Sequence, residues 1–232
     1  MVSRTRGVYR IAIDGEVAGT ETWSLQRDRV TLQARSSSEM RLPEPNRQDL
    51  ALSITVTGVF LKLEFALARG KERLTATVAR EGDLLRARIF EDNAPAYEDE
   101  FPANRFEKVD PVSILASLPL LAGGMPHEGG EIRFETLLLP LPDLRPVEVR
   151  QSFRDTGADA LFLAEIGVRE ARRLSVTSSL ADGAALESTL WVDGDGMPLR
   201  QLVEHGGRTI EVVLESASEA PAGRELPLLD AR

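Results

Sequence analysis

Along most of this chain apolar and polar residues alternate with a period of two. Tyr9, Ile11 and Ile13 are interleaved with Val8, Arg10 and Ala12, and Leu52, Ile54 and Val56 with Ser53, Thr55 and Thr57. A strand puts successive side chains on opposite faces, so this period predicts strands with one face buried. Such segments recur about every ten residues: 8–13, 16–26, 30–34, 50–57, 60–65, 74–78 and 84–90, then 131–139, 147–153, 161–167, 173–179, 186–192, 199–204 and 209–216. Between them stand turn formers: Asp14-Gly15, Arg27-Asp28, Arg69-Gly70, Glu81-Gly82-Asp83, Asp155–Gly157, Asp182-Gly183, Asp193–Gly196 and Gly206-Gly207. Residues 42–46 carry two prolines and an Asn, which reads as a loop.

One stretch breaks the alternation. Asp110-Pro111 pairs a capping residue with proline at the first helical position, and Val112, Ile114, Leu115 and Leu118 fall on one helical face before Pro119. A short buried helix is predicted over residues 110–118. The fold class is therefore mainly β: a single curved antiparallel meander, as a half-barrel or β-roll, with one short central helix. Residues 1–218 are expected to form one β-rich domain, and 219–232, where Glu, Ala, Pro, Gly and Arg take over, a mobile or surface-draped tail.

A long meander without covering helices buries its apolar face only by curling on itself, and that curl can leave a lined interior. The candidate lining residues are Trp23, Phe60, Phe65, Ile114, Leu115, Leu118 and Trp191. The bland reading of each is core.

Composition removes several functions. A net charge of −9 over 232 residues argues against nucleic acid. The absence of cysteine excludes disulfides and thiolate chemistry. No apolar run is long enough to make a transmembrane segment. There is no Gly-x-Ser-x-Gly elbow and no phosphate-binding glycine loop, so no cofactor is expected. The two histidines, His127 and His205, sit in glycine-rich turns and read as solvated residues. The acidic run between Glu91 and Glu100 reads as a charged edge, and Asp193-Gly-Asp-Gly196 as a hairpin turn, each in preference to a calcium site.

Three local patterns carry a resemblance. Gly7-Val-Tyr-Arg-Ile11 with Asp14-Gly-Glu-Val-Ala-Gly-Thr20, Asp110-Pro-Val-Ser-Ile-Leu115, and Leu190-Trp-Val-Asp193 with Gly196-Met-Pro-Leu-Arg200 resemble a family of uncharacterised, mostly exported bacterial β proteins. That family is similar to periplasmic lipoprotein carriers, in which a curved sheet wraps a helical lid around an acyl-chain cavity. The resemblance implies that fold and, more loosely, a lipid-like ligand. A signal peptide does not open the sequence, so it reads as cytoplasmic as it stands, and as periplasmic or exported if a leader was trimmed.

The expected function is non-enzymatic binding of a lipid or other apolar small molecule in a curved-sheet cavity. Two alternatives stand beside it: an interaction domain with a filled interior, and a cofactor-free enzyme on the same scaffold.

Overall fold

The structure, a computed structural model, describes residues 3–118, 120–180 and 183–219. The first half is a run of hairpins: β1 (Ser3–Ile13), β2 (Glu16–Arg27), β3 (Thr31–Met40), β4 (Asn46–Thr55), β5 (Phe60–Arg69), β6 (Glu72–Glu81), β7 (Leu84–Glu91) and β8 (Ala94–Pro102). A three-residue strand, β9 (Lys108–Asp110), then precedes the central turns. The second half adds β10 (Glu131–Leu138), β11 (Val147–Leu163), β12 (Gly167–Leu180), β13 (Ala185–Val192), β14 (Pro198–His205) and β15 (Arg208–Glu219).

All fifteen strands belong to one sheet, ordered β8 through β1, then β15 back through β9. Every neighbouring pair is antiparallel except β9–β10, which is parallel. The first and last described strands therefore meet in the middle of the sheet, where β1 pairs β15, while the sequence neighbours β8 and β9 form its two edges. The expected tail lies beyond β15, outside the described residues from 220 on. This order forces the curvature. Laid flat, fifteen strands would set the edges roughly 65 Å apart at about 4.8 Å per strand. Residues 103–107 can bridge at most roughly 20 Å. Bulges at Val8/Tyr9, Ile11/Ala12, Ser53/Ile54 and Ile89/Phe90 add local coiling. The result is a curved, unclosed sheet.

Its inner face interlocks large and small side chains. One rung runs Gly7, Trp23, Ser36, Leu50, Phe65, Ala76, Ile89 and Tyr97 across eight strands. Gly7 is required there: a Cβ on it would lie 2.2 Å from the Ser216 carbonyl oxygen and 2.6 Å from Trp23 Cζ2. Asp14-Gly15 makes the expected hairpin turn, with both residues at positive φ (51° and 84°). Edge strand β8 is blunted by Pro95 and Pro102 and by Glu98 and Glu100, which pair across the strand with Arg88 and Arg86.

Two sequence expectations are corrected. Asp110 ends β9 instead of capping a helix; its Oδ1 accepts from the Val112 N–H at 2.8 Å, and Val112 takes a φ of 60°. Ser113 is the cap, its Oγ accepting from the Leu115 N–H, and the helix is only a 3₁₀ turn, Ile114–Ser117, followed by a π turn, Leu120–Gly124. Pro119 has no N–H with which to continue an α-helical ladder. Asp155–Gly157, expected as a turn between two strands, is instead a bulge inside the 17-residue β11, and the hairpin tip lies at residues 164–166.

Ile114, Leu115, Leu118 and Leu120 are buried in a continuous core formed with inner-face residues from both halves of the sheet. Below them β9 is pinned by a buried polar network. Lys108 Nζ reaches Asp110 Oδ2 at 2.9 Å and Gln151 Oε1 at 2.6 Å. Gln151 Nε2 donates to Asp110 Oδ2 and to Ser178 Oγ, and Thr136 Oγ1 donates to Gln151 Oε1. A three-residue edge strand has few ladder bonds, and this network ties it to β10, β11 and β12.

Candidate functional site

A large cavity lies at the end of the sheet where β1 begins and β15 finishes. Its volume is about 970 Å³. Trp23, Leu32, Leu199 and Leu214 supply buried apolar walls from β2, β3, β14 and β15. The β11–β12 tip closes one side with Leu163 and Ile166, and the β13–β14 turn adds Met197. Arg27, Arg169, Glu170 and Asp195 stand exposed around the opening. Neither Arg27 nor Arg169 forms an ion pair among the described residues. Ser3, Thr5 and Asp193 also line it, so the opening is charged and the walls combine apolar and polar groups, an arrangement suited to an amphiphile.

The wall elements are set by local hydrogen bonding. Asp193 Oδ1 accepts from the N–H groups of Asp195 and Met197 at 3.0 and 2.8 Å, which folds the β13–β14 turn and places Met197. Burial pushes the Asp193 carboxyl up, against the pull of those N–H groups. Behind Trp23, Tyr9 stacks at 5.7 Å between ring centroids and donates its hydroxyl to the Pro198 carbonyl. Its phenol is held well above the usual tyrosine range by burial and by Glu21 and Asp193. Glu21 is itself buried and pushed up by desolvation, with Ser36 as a hydrogen-bond partner opposing that shift.

The long β11–β12 hairpin depends on Asp155. This buried carboxylate accepts from the N–H groups of Gly157 and Gly129 and from Arg172 Nη2 at 2.7 Å, while Arg172 also donates to the Pro126 carbonyl. Burial alone would raise its carboxyl, but Arg172 and the two N–H groups outweigh burial and hold it below the usual aspartate range. A depressed folded-state value means that its contribution is complete above the unfolded pKa of about 3.9 and is lost as pH falls through the folded value. Asp155→Asn is expected to lower stability at pH 7 by about 2 kcal/mol. It should also flatten the acid limb below about pH 4, as read by urea unfolding at several pH values. An unchanged acid limb would show that Asp155 does not supply it.

The sequence candidates are dispersed. Trp23 lines the large cavity, and Phe60 lines a second one of about 420 Å³ near residues 103–107. Phe65 shares the rung of Trp23 but is separated from it by Ser36 and Leu50. Ile114, Leu115 and Leu118 pack into the core, and with Phe65 and Trp191 they line neither of these cavities. Trp191 lies on the opposite face from Leu190, in a rung with Arg173 and Arg200. Arg200 covers its ring at 4.8 Å, and its Nε1–H donates to Asp159 Oδ2. The bulge accounts for that contact: the extra residue before Gly157 moves Asp159 onto the face of Trp191. His127 and His205 are exposed and line neither cavity.

Sequence reasoning missed Leu32, Leu163, Leu199, Leu214 and Met197. The alternation marked Leu32, Leu163, Leu199 and Leu214 as strand residues, but only the β1–β15 pairing brings them together. Met197 follows Gly196 in a recognised turn and carried no signal of its own.

No family model matches the chain, and no curated protein matches it. Among solved structures, a β-barrel-like domain of unknown function, DUF1849, from Brucella abortus aligns over 95% of this chain and 99% of its own at a TM-score of 0.58 and 9% identity. A DUF1089 family protein from Pseudomonas aeruginosa aligns over 77% and 87% of the two chains at a TM-score of 0.47 and 12% identity. The hypothetical lipoprotein YmcC from Escherichia coli aligns over 94% and 86% at a TM-score of 0.39 and 12% identity. The Brucella abortus likeness is one of fold alone.

Proposed function

We propose that this chain is a non-enzymatic binding protein that holds an apolar or lipid-like molecule in the cavity at the end of its curved sheet. The observation that carries this reading is the cavity itself: about 970 Å³ beside a continuous buried core. Ligand sites span roughly 300–1,000 Å³ and are mostly apolar with a few polar groups that fix orientation. Trp23, Leu32, Leu199 and Leu214 would hold the chain of an amphiphile, with its head group among the charges at the mouth. The resemblance to lipoprotein carriers favours an acyl chain as that ligand. The packed centre supports one rival, an interaction domain with a filled interior, although β8 is poorly suited to pairing because of its prolines and acidic residues.

The test is titration with dansylaminoundecanoic acid, a fluorescent fatty acid, alongside native mass spectrometry of the purified protein. Saturable binding is expected, and Ile166→Trp combined with Met197→Trp should weaken it at least tenfold with little change in melting temperature. Both side chains are half-buried and line the cavity, so larger ones occupy its space. Absence of probe binding and of any co-purified lipid would remove the reading.

A further inference from the structure

The β11–β12 hairpin outgrows the sheet. β10 pairs with β11 only as far as Arg154, and β13 with β12 only from Arg172. Beyond those points the two strands pair with each other alone, as a two-stranded arm. Side chains alternate between the faces of a strand. On one face of the arm Leu161 and Leu163 are buried, and Leu163 reaches the cavity. On the other, Phe162 and Val168 stand directly opposite each other and are 76% and 69% exposed. With Val30, at 64%, they are the three most exposed large apolar side chains among the described residues. Val30 sits on the β2–β3 turn, whose flanking residues Arg27 and Leu32 line the same cavity. The greatest apolar exposure is thus gathered on two loops that rim the mouth. A lone exposed apolar side chain is ordinary, but an arm that is apolar on both faces gains from an apolar medium on its outer side.

The charges beside these side chains select the medium. Arg27, Arg29 and Arg169 form no ion pair among the described residues, and neither do Glu165, Glu170 and Asp195. Unpaired charges of both signs are complementary to a zwitterionic head-group layer, where phosphate and ammonium groups lie side by side. A net charge of −9 disfavours an anionic surface. A protruding tip also offers little of the roughly 800 Å² that each partner brings to a stable protein interface, whereas it can sink into a fluid head-group layer. We propose that this arm and the β2–β3 turn dock on a zwitterionic lipid bilayer, with Phe162, Val168 and Val30 immersed and the cavity mouth facing the membrane. This deepens the proposed function by naming the source of its ligand, while the docking itself does not depend on what the cavity holds. A lipid-like molecule is scarce in water, and a carrier pressed mouth-down on a bilayer takes it up without exposing it to solvent.

Co-sedimentation of the full chain with phosphatidylcholine vesicles decides the matter. Saturable binding is expected, weakened at least tenfold in V30E/F162E and retained in F162L. Both replaced side chains are exposed and neither lines the cavity, so the melting temperature should stay within about 2 °C. Dansylaminoundecanoic acid, taken up from solution, should bind V30E/F162E as tightly as the unaltered chain. In Phe162→Trp, brominated phosphatidylcholine should quench the emission more than it does in the unaltered chain. No vesicle binding by the full chain, or equal binding by V30E/F162E, would overturn the docking, while probe binding keeps the cavity reading standing. Vesicle binding that V30E/F162E loses, with no probe binding by either protein, would uphold the docking and remove the binding function. Binding that appears only with added phosphatidylglycerol would place the attraction in the arginines and overturn the zwitterionic form. A dimer in light scattering that V30E/F162E reduces to a monomer, without vesicle binding, would assign the patch to a second copy and overturn the proposal.

Discussion

Lys108→Ala is expected to destabilise the protein by about 3–5 kcal/mol, as read by urea unfolding at neutral pH. Lys108 is only 4% exposed, and its ammonium is shared between Asp110 Oδ2 and Gln151 Oε1, with the Phe153 ring 5.3 Å away. Removing it leaves the Asp110 carboxylate buried without its cation, and a buried unpaired charge costs far more than the pair contributes. The double variant Lys108→Met with Asp110→Asn removes both charges and should recover much of the loss. The amide of the second substitution would still present an oxygen to the Val112 N–H, which Asp110 now satisfies. A loss below about 1 kcal/mol for Lys108→Ala would mean that β9 is held by its apolar neighbours and not by this network.

The second large effect lies at the cavity wall. Trp23→Ala should cost about 3–5 kcal/mol, because a fully buried indole is replaced by space the rung cannot close. Ser36 and Gly7 flank it on the neighbouring strands and are too small to fill the gap. Trp23→Phe should cost much less. The buried Trp23 Nε1–H has no acceptor among the described residues, so phenylalanine removes an unsatisfied donor along with part of the ring. Thermal unfolding of the two variants checks the order; a phenylalanine variant as unstable as the alanine one would show that ring size alone matters. The chain has two tryptophans, so in a Trp191→Phe background the emission of Trp23 reports directly on the cavity.

Most of the sheet was legible because its information is local. Tyr9, Ile11 and Ile13 alternate, Asp14-Gly15 turns, and each hairpin can be recognised from about ten residues. Where a local signal had two readings, the distant partner decided. Asp155 and Gly157 look like a turn, yet Arg172 and the Gly129 N–H arrive from elsewhere in the chain and hold them as a bulge. Asp110 looks like a cap, but its carboxylate is claimed by Lys108 and Gln151. The three residues of β9 are too few to show a period. The candidate site was the least legible part: Trp23 was named, whereas Leu163, Leu199 and Leu214 join it only through strand order, which alternation does not encode. Trp191 was expected at the lining from its strand position, but the period of two does not say which face curls inward.

The placement of β1 beside β15 has a consequence for how the protein is made. Both meanders are built from near neighbours and can zip as they leave the ribosome, but the join between them waits for the final strand. The hydrogen bond between Thr209 and Asp14 spans 195 residues. Until that stretch is synthesised, β1 stands with one flank unmatched and without the proline and acidic guards that protect β8. Nascent chains stalled before β15 should therefore be the form most prone to stick to one another, and closing this central suture should be the slow step of folding.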